Sequence, residues 1–75
     1  MNQHQKIIDY LEKNDNITSF TAYTILHITQ LATRITELEK QGYLFSRRWD
    51  YNINQEGEKK RFIRYSLEKE KVNVN

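Results

Sequence analysis

Apolar residues in this chain fall at helical spacing in three stretches and then switch to strand spacing. From Gln3 to Lys13, His4, Ile7, Ile8 and Leu11 share one face of a helix. Asn14, Asp15 and Asn16 end it with turn-forming side chains. Ile17 either begins a very short strand or plugs the core. Thr18 or Ser19 caps a brief second helix that runs to about Leu26, with Ala22, Ile25 and Leu26 on its apolar side. Ala22 is small where two helices must approach. Thr, Phe and Tyr are mediocre helix formers, so tertiary packing must hold this segment. His27 and Ile28 make a turn. Thr29 then suits the N-cap of a third helix over Gln30 to Gln41, whose buried stripe is Leu31, Ile35 and Leu38. Gly42 suits the left-handed position that closes many helices.

From Tyr43 to about Asn52 the pattern is β-like and rich in aromatic residues. Leu44 is expected to face the core. Tyr43, Phe45, Trp49 and Tyr51 share the opposite parity. Both rows cannot be buried in so small a sheet. One is therefore expected to be partly exposed and to offer a dimer or partner surface. Phe20 and Tyr23, off the apolar side of the second helix, pose the same question. A second strand, Lys60 to Leu67, sets Ile63, Tyr65 and Leu67 on one face and Phe62, Arg64 and Ser66 on the other. Between the strands, NINQEGEKK reads as a hairpin tip. From Glu68 onward the apolar period stops. The expected organisation is one domain over residues 1–67 with a frayed tail over 68–75.

Helix, tight turn, helix, glycine, strand and charged hairpin together predict an α+β fold. The expected architecture is a winged helix-turn-helix, three helices followed by a two-stranded antiparallel wing hairpin. In such a motif the second helix of the helix-turn-helix fits the DNA major groove.

At 75 residues the chain is near the lower limit for burying its own core. It has no cysteine, so no disulfide or thiolate metal site can staple it. The start, MNQHQKIIDYLEKN, lacks the apolar run of a signal peptide, and no segment is apolar enough for a membrane span. The expected location is the cytoplasm. The net charge is only +2, but it is unevenly spread. Up to Thr29 there are two basic and three acidic residues. From Gln30 to Leu67 there are eight basic and five acidic ones. The excess lies where a DNA-reading helix and wing would sit.

On the third helix, Thr29, Gln30, Thr33, Thr36, Glu37 and Lys40 lie opposite the apolar stripe. Gln30 can pair with an adenine edge, Thr33 can meet a thymine methyl or a phosphate, and Lys40 can reach a phosphate. Glu37 can accept from cytosine N4 or pair with a nearby cation. Arg34 flanks the stripe and can bond a phosphate or brace the wing. The hairpin adds Arg47, Arg48, Lys59, Lys60, Arg61 and Arg64, cations suited to phosphates or the minor groove. Glu56 and Glu58 oppose deep insertion of the tip, so Arg47, Arg48 and the Lys59-Lys60-Arg61 run carry the expectation. Any surface helix has a polar outer face, and charged edge strands also discourage aggregation. The adjoining turn and hairpin raise the DNA reading of the helix, and on the strands the two roles can hold together. No nucleophile-and-base pattern, phosphate-cradling loop or histidine pair at ligand spacing occurs. No enzyme activity, cofactor or metal is expected.

From Ile7 to Leu67 the chain resembles small helix-turn-helix proteins common in bacteriophages and prophages. The likeness runs through IIDYLEKNDNIT, Ala22, ITQLATRITELEKQGY from Ile28 to Tyr43, and FIRYSL from Phe62 to Leu67. It implies a double-stranded DNA-binding phage regulator or recombination accessory factor, acting in the host cytoplasm. By that likeness Thr29, Gln30, Thr33 and Arg34 sit on or beside the recognition helix. The long, partly acidic wing departs from the pattern. A domain this small reads few base pairs, so a homodimer or cooperative self-association is expected. The rival reading is a winged-helix module that binds and inhibits a host protein.

Overall fold

The computed structural model describes residues 2–69. In chain order it has α1 (Gln3–Lys13), α2 (Ser19–Leu26), α3 (Leu31–Lys40), β1 (Leu44–Ile53) and β2 (Lys59–Lys69). The hairpin gives the molecule its length, with extents of 52 × 24 × 21 Å.

Each helix boundary has a local cause. At α1 the Asn2 side chain accepts from the Gln5 N–H at 2.8 Å, satisfying a donor that the first turn leaves unpaired. At α2 the Thr18 hydroxyl does the same for Thr21 at 3.2 Å. That helix stops at His27, held in the left-handed region at φ 60 and ψ 36. The conformation costs a non-glycine residue about 1 kcal/mol. It turns Ile28 inward, to 1% exposure, with the Ile28 N–H on the Ala22 carbonyl at 2.9 Å.

The N-cap position of α3 is Gln30, without a side-chain cap bond, rather than Thr29. The first turn of α3 is instead anchored by burial of Leu31. At its other end Gly42 takes φ 108. The Gly42 N–H bonds the Glu39 carbonyl and the Tyr43 N–H bonds the Leu38 carbonyl. This paired closure needs a left-handed residue.

The core is Ile7, Ile8 and Leu11 of α1, Ile17 before α2, Ala22 of α2, Ile28 in the turn, Leu31, Ile35 and Leu38 of α3, and Tyr65 of β2. Ile17 is both buried and bridged. Its backbone exchanges two bonds of 2.9 Å with Tyr65, a one-residue third strand on the outer edge of β2.

Two apolar expectations fail. Ile25 is 58% exposed, because α2 buries itself through Ala22 while Ile28, not Ile25, takes the core position beyond the turn. Leu44 is 47% exposed. Tyr43 and Phe45 pack on the core, and period-two alternation then turns Leu44 outward. β2 also runs to Lys69, two residues into the expected tail, with a register shift between Leu44 and Phe45. The rest of that tail lies outside the described residues.

Candidate nucleic-acid interface

Leu31, Ile35 and Leu38 are each at most 2% exposed, and this fixes the rotation of α3. The exposed positions on and before it are Thr29, Gln30, Ala32, Thr33, Thr36 and Lys40. Ala32 is an addition to the sequence reading. A helical wheel places it at the edge of the outer arc, and its methyl can meet a thymine methyl. The Thr36 hydroxyl bonds the Ala32 carbonyl at 3.1 Å, which leaves its methyl outward.

The two glutamates of α3 are drawn to its flanks. Glu37 Oε1 lies 2.7 Å from His4 Nε2 and 3.2 Å from Arg34 Nη1. Glu37 and Arg34 are thus turned towards α1, half-buried, and this ties α3 to the first helix. Arg34 Nε is buried without a hydrogen-bond partner. On the other flank Glu39 takes a two-bond clamp from Arg47, with Nη1 donating at 2.9 Å and Nη2 at 2.7 Å. The Arg47 guanidinium also lies 5.4 Å over the Tyr65 ring. Arg47, and not Arg34, braces the wing against α3.

The hydrogen bonds from Arg47 hold the Glu39 carboxyl below the usual carboxylate range, against a smaller opposing effect of burial. A depressed folded-state pKa contributes stability above the unfolded value, about 4.3. That stability is lost as pH falls through the folded value. Glu39→Gln should therefore lower the melting temperature at neutral pH, by no more than about 1 kcal/mol of stability for a half-exposed pair. The difference from the parent should close as the pH drops below about 4. Thermal melts of both proteins across that range check it.

On the wing, β1 and β2 pair antiparallel with Arg47 opposite Tyr65, Trp49 opposite Ile63, Tyr51 opposite Arg61 and Ile53 opposite Lys59. These residues form one face, the face that packs on the helices near its base. Arg48, Asp50, Asn52, Lys60, Phe62 and Arg64 form the other. The run Lys59-Lys60-Arg61 is therefore split. Lys59 and Arg61 sit with Trp49 and Tyr51, Lys60 with Arg48. Lys59 Nζ lies 4.2 Å over the Tyr51 ring.

Arg64 is spent internally, donating to Asp50 at 2.7 Å and Asn16 at 3.0 Å. The Arg64 bond and the Tyr51 N–H hold the Asp50 carboxyl below its ordinary range. At the apex the Asn54 side-chain oxygen accepts from the Glu56 and Glu58 N–H groups, both at 2.9 Å, and Gly57 takes φ 80. Among the described residues Lys40, Arg48, Lys60 and Arg61 enter no ion pair.

A family model described as a winged helix-turn-helix domain matches residues 2–70. The chain belongs to that family. No curated protein matches it. In a winged helix-turn-helix α3 is the helix offered to the DNA major groove, α2 precedes it across the turn, and β1 and β2 are the wing. Domains of this family are typically DNA-binding. Among the described residues no helix is long and apolar enough to cross a membrane, and no group of three His, Cys, Asp or Glu is placed to hold a metal.

Proposed function

We propose that this protein binds double-stranded DNA without catalysis, α3 entering the major groove and the wing lying on the adjacent backbone. The observation that carries the reading is the acid-free outer face of α3. Thr29, Gln30, Ala32, Thr33, Thr36 and Lys40 are exposed, while Glu37 and Glu39 are held aside by His4, Arg34 and Arg47. A carboxylate on that face would repel phosphate. Its removal to the flanks leaves groups that accept, donate or pack against base edges.

In this reading Gln30 and Thr33 read bases, and Lys40 and Thr29 hold phosphates. Lys59 and Arg61, on one face of the wing, supply its phosphate contacts, and Lys60, on the other face, contributes little. Arg34, Glu37 and Arg47 orient the helix and do not touch DNA. The acidic apex at Glu56 and Glu58 keeps the tip out of the groove. The role is regulation of transcription, or an accessory role in recombination, for a phage or mobile element in the host cytoplasm.

A second reading, attachment to a host protein, draws on Phe20 and Tyr23 of α2, 75% and 61% exposed. Fluorescence anisotropy with a labelled random-sequence duplex separates the two. The DNA reading expects dissociation constants of about 1–100 µM at moderate salt, tightening steeply at low salt. No binding at low salt would overturn it and favour the protein partner.

A further inference from the structure

We infer that the open edge of β1 pairs antiparallel with the same edge of a second copy, in the register that sets Trp49 opposite the partner's Trp49. The sheet has the order β1-β2, and Ile17 covers part of the outer edge of β2. Among the described residues no strand pairs with the outer edge of β1.

The backbone directions follow from the bridge. Tyr65 gives both its N–H and its carbonyl to Ile17, so both point away from β1. The opposite residue, Arg47, is then in a non-hydrogen-bonded pair. By alternation Phe45, Arg47, Trp49, Tyr51 and Ile53 aim their backbone groups at the open edge. The Tyr51 N–H confirms the direction: it leaves the ladder and bonds the Asp50 carboxylate at 2.8 Å.

The same residues carry the wing's uncovered apolar surface, with Trp49 67%, Tyr51 51% and Ile53 65% exposed. An edge of this length, with apolar side chains along it, is a template for another strand, which the Tyr51 N–H joins by exchanging the Asp50 carboxylate for a partner carbonyl.

Charge selects the register. Arg48 sits directly across from Arg64, and it is Arg64 that holds Asp50. Arg48 thus faces a like charge and, among the described residues, enters no direct ion pair; it acts on Asp50 of its own chain only at longer range. Symmetric pairings centred on Arg47, Arg48 or Asp50 would each set that charge against its own copy. Centring on Tyr51 would oppose Asp50 to Asn52 and pair no charges. Centring on Trp49 sets Arg48 against the partner's Asp50 at two symmetric places, Arg47 against the partner's Tyr51 and Phe45 against the partner's Ile53. The product is a four-stranded sheet, β2-β1-β1-β2, with both copies of Trp49, Tyr51 and Ile53 on one face.

The inference does not rest on the DNA reading, and its test contains no DNA. Sedimentation equilibrium of the full chain should show a monomer–dimer equilibrium. Arg48→Asp and Asp50→Arg, each checked for folding by circular dichroism, should each weaken it about ten-fold by opposing like charges twice. An equimolar mixture of the two variants should associate as the parent does, because the mixed pair has opposite charges at both contacts. A defect internal to one chain would not be rescued by mixing.

Asp50→Arg also removes the partner of Arg64, so a second measurement avoids that site. The chain has no cysteine. Trp49→Cys should oxidise to a covalent dimer, since facing residues of a hydrogen-bonded pair lie about 5.5 Å apart at Cα. Asn52→Cys, opposite the partner's Ser46, should not. A parent protein that stays monomeric to about 1 mM, a mixture that associates no better than its components, or equal cross-linking of both cysteine variants would overturn the inference.

Discussion

Replacing Lys59, Lys60 and Arg61 together with glutamine is expected to weaken duplex binding roughly a hundred-fold near 0.1 M salt. The salt dependence carries the sharper expectation. Each phosphate contact contributes about 0.9 to the slope of log affinity against log salt. The strand register places Lys59 and Arg61 on the face that packs against the helices and Lys60 on the opposite one. One flank of the wing cannot present all three to the same backbone. The slope should therefore fall by about 1.8, two contacts' worth, rather than about 2.7. The double variant Lys59→Gln with Arg61→Gln should reproduce nearly all of it, and Lys60→Gln alone little. Anisotropy titrations at several salt concentrations measure this. An unchanged slope in the triple variant would remove the wing from the interface and leave α3 alone on the DNA.

The largest effect on stability is expected at Ile35. This residue is fully buried, in the middle turn of α3, between Leu31 and Leu38. Ile35→Ala should cost about 2–5 kcal/mol, the lost transfer energy plus the cavity left behind. A domain of this length has about 4–11 kcal/mol of stability in total. At about 4–8 °C per kcal/mol, the melting temperature should fall by tens of degrees. Ile25→Ala, at a residue of the same type that is mostly exposed, should stay within about 0.5 kcal/mol. Circular dichroism melts of the two variants test the contrast. Similar losses from both would mean that α2 is packed through Ile25 after all.

That pair of isoleucines shows what the sequence makes legible. The bounds of α1 and the stripe Leu31, Ile35 and Leu38 follow from helical spacing alone, because a helix of ten or more residues repeats its apolar face several times. α2 has only eight residues. With so short a stretch the period is ambiguous, and the left-handed turn at His27 decides that Ile28 enters the core. Gly42 was legible because few other residues accept φ 108. Leu44 was not, because the face of a strand is set by its neighbours Tyr43 and Phe45, and both parities carried apolar residues.

The interface divides in the same way. The exposed arc of α3 was readable from the helix period. The partners that draw its carboxylates aside were not. His4 and Glu37 are 33 residues apart in sequence, and the Arg47–Glu39 clamp spans two different elements. Only the fold brings them together, and with them Arg34, Glu37 and Arg47 become supports for the helix. The splitting of Lys59-Lys60-Arg61 needed nothing beyond period two, but its meaning needed the register that sets Lys59 and Arg61 beside Tyr51.

If α3 enters the major groove, its acid-free outer face must respond to duplex DNA. Amide chemical-shift mapping on a labelled protein, titrated with a short duplex at low salt, reads that response residue by residue. The expected result is a contiguous set of shifts at Thr29, Gln30, Ala32, Thr33, Thr36 and Lys40, with smaller ones at Lys59 and Arg61 and none at Lys6, Asp9 and Lys13 on α1. Shifts centred on Phe20 and Tyr23 with α3 unmoved would contradict it.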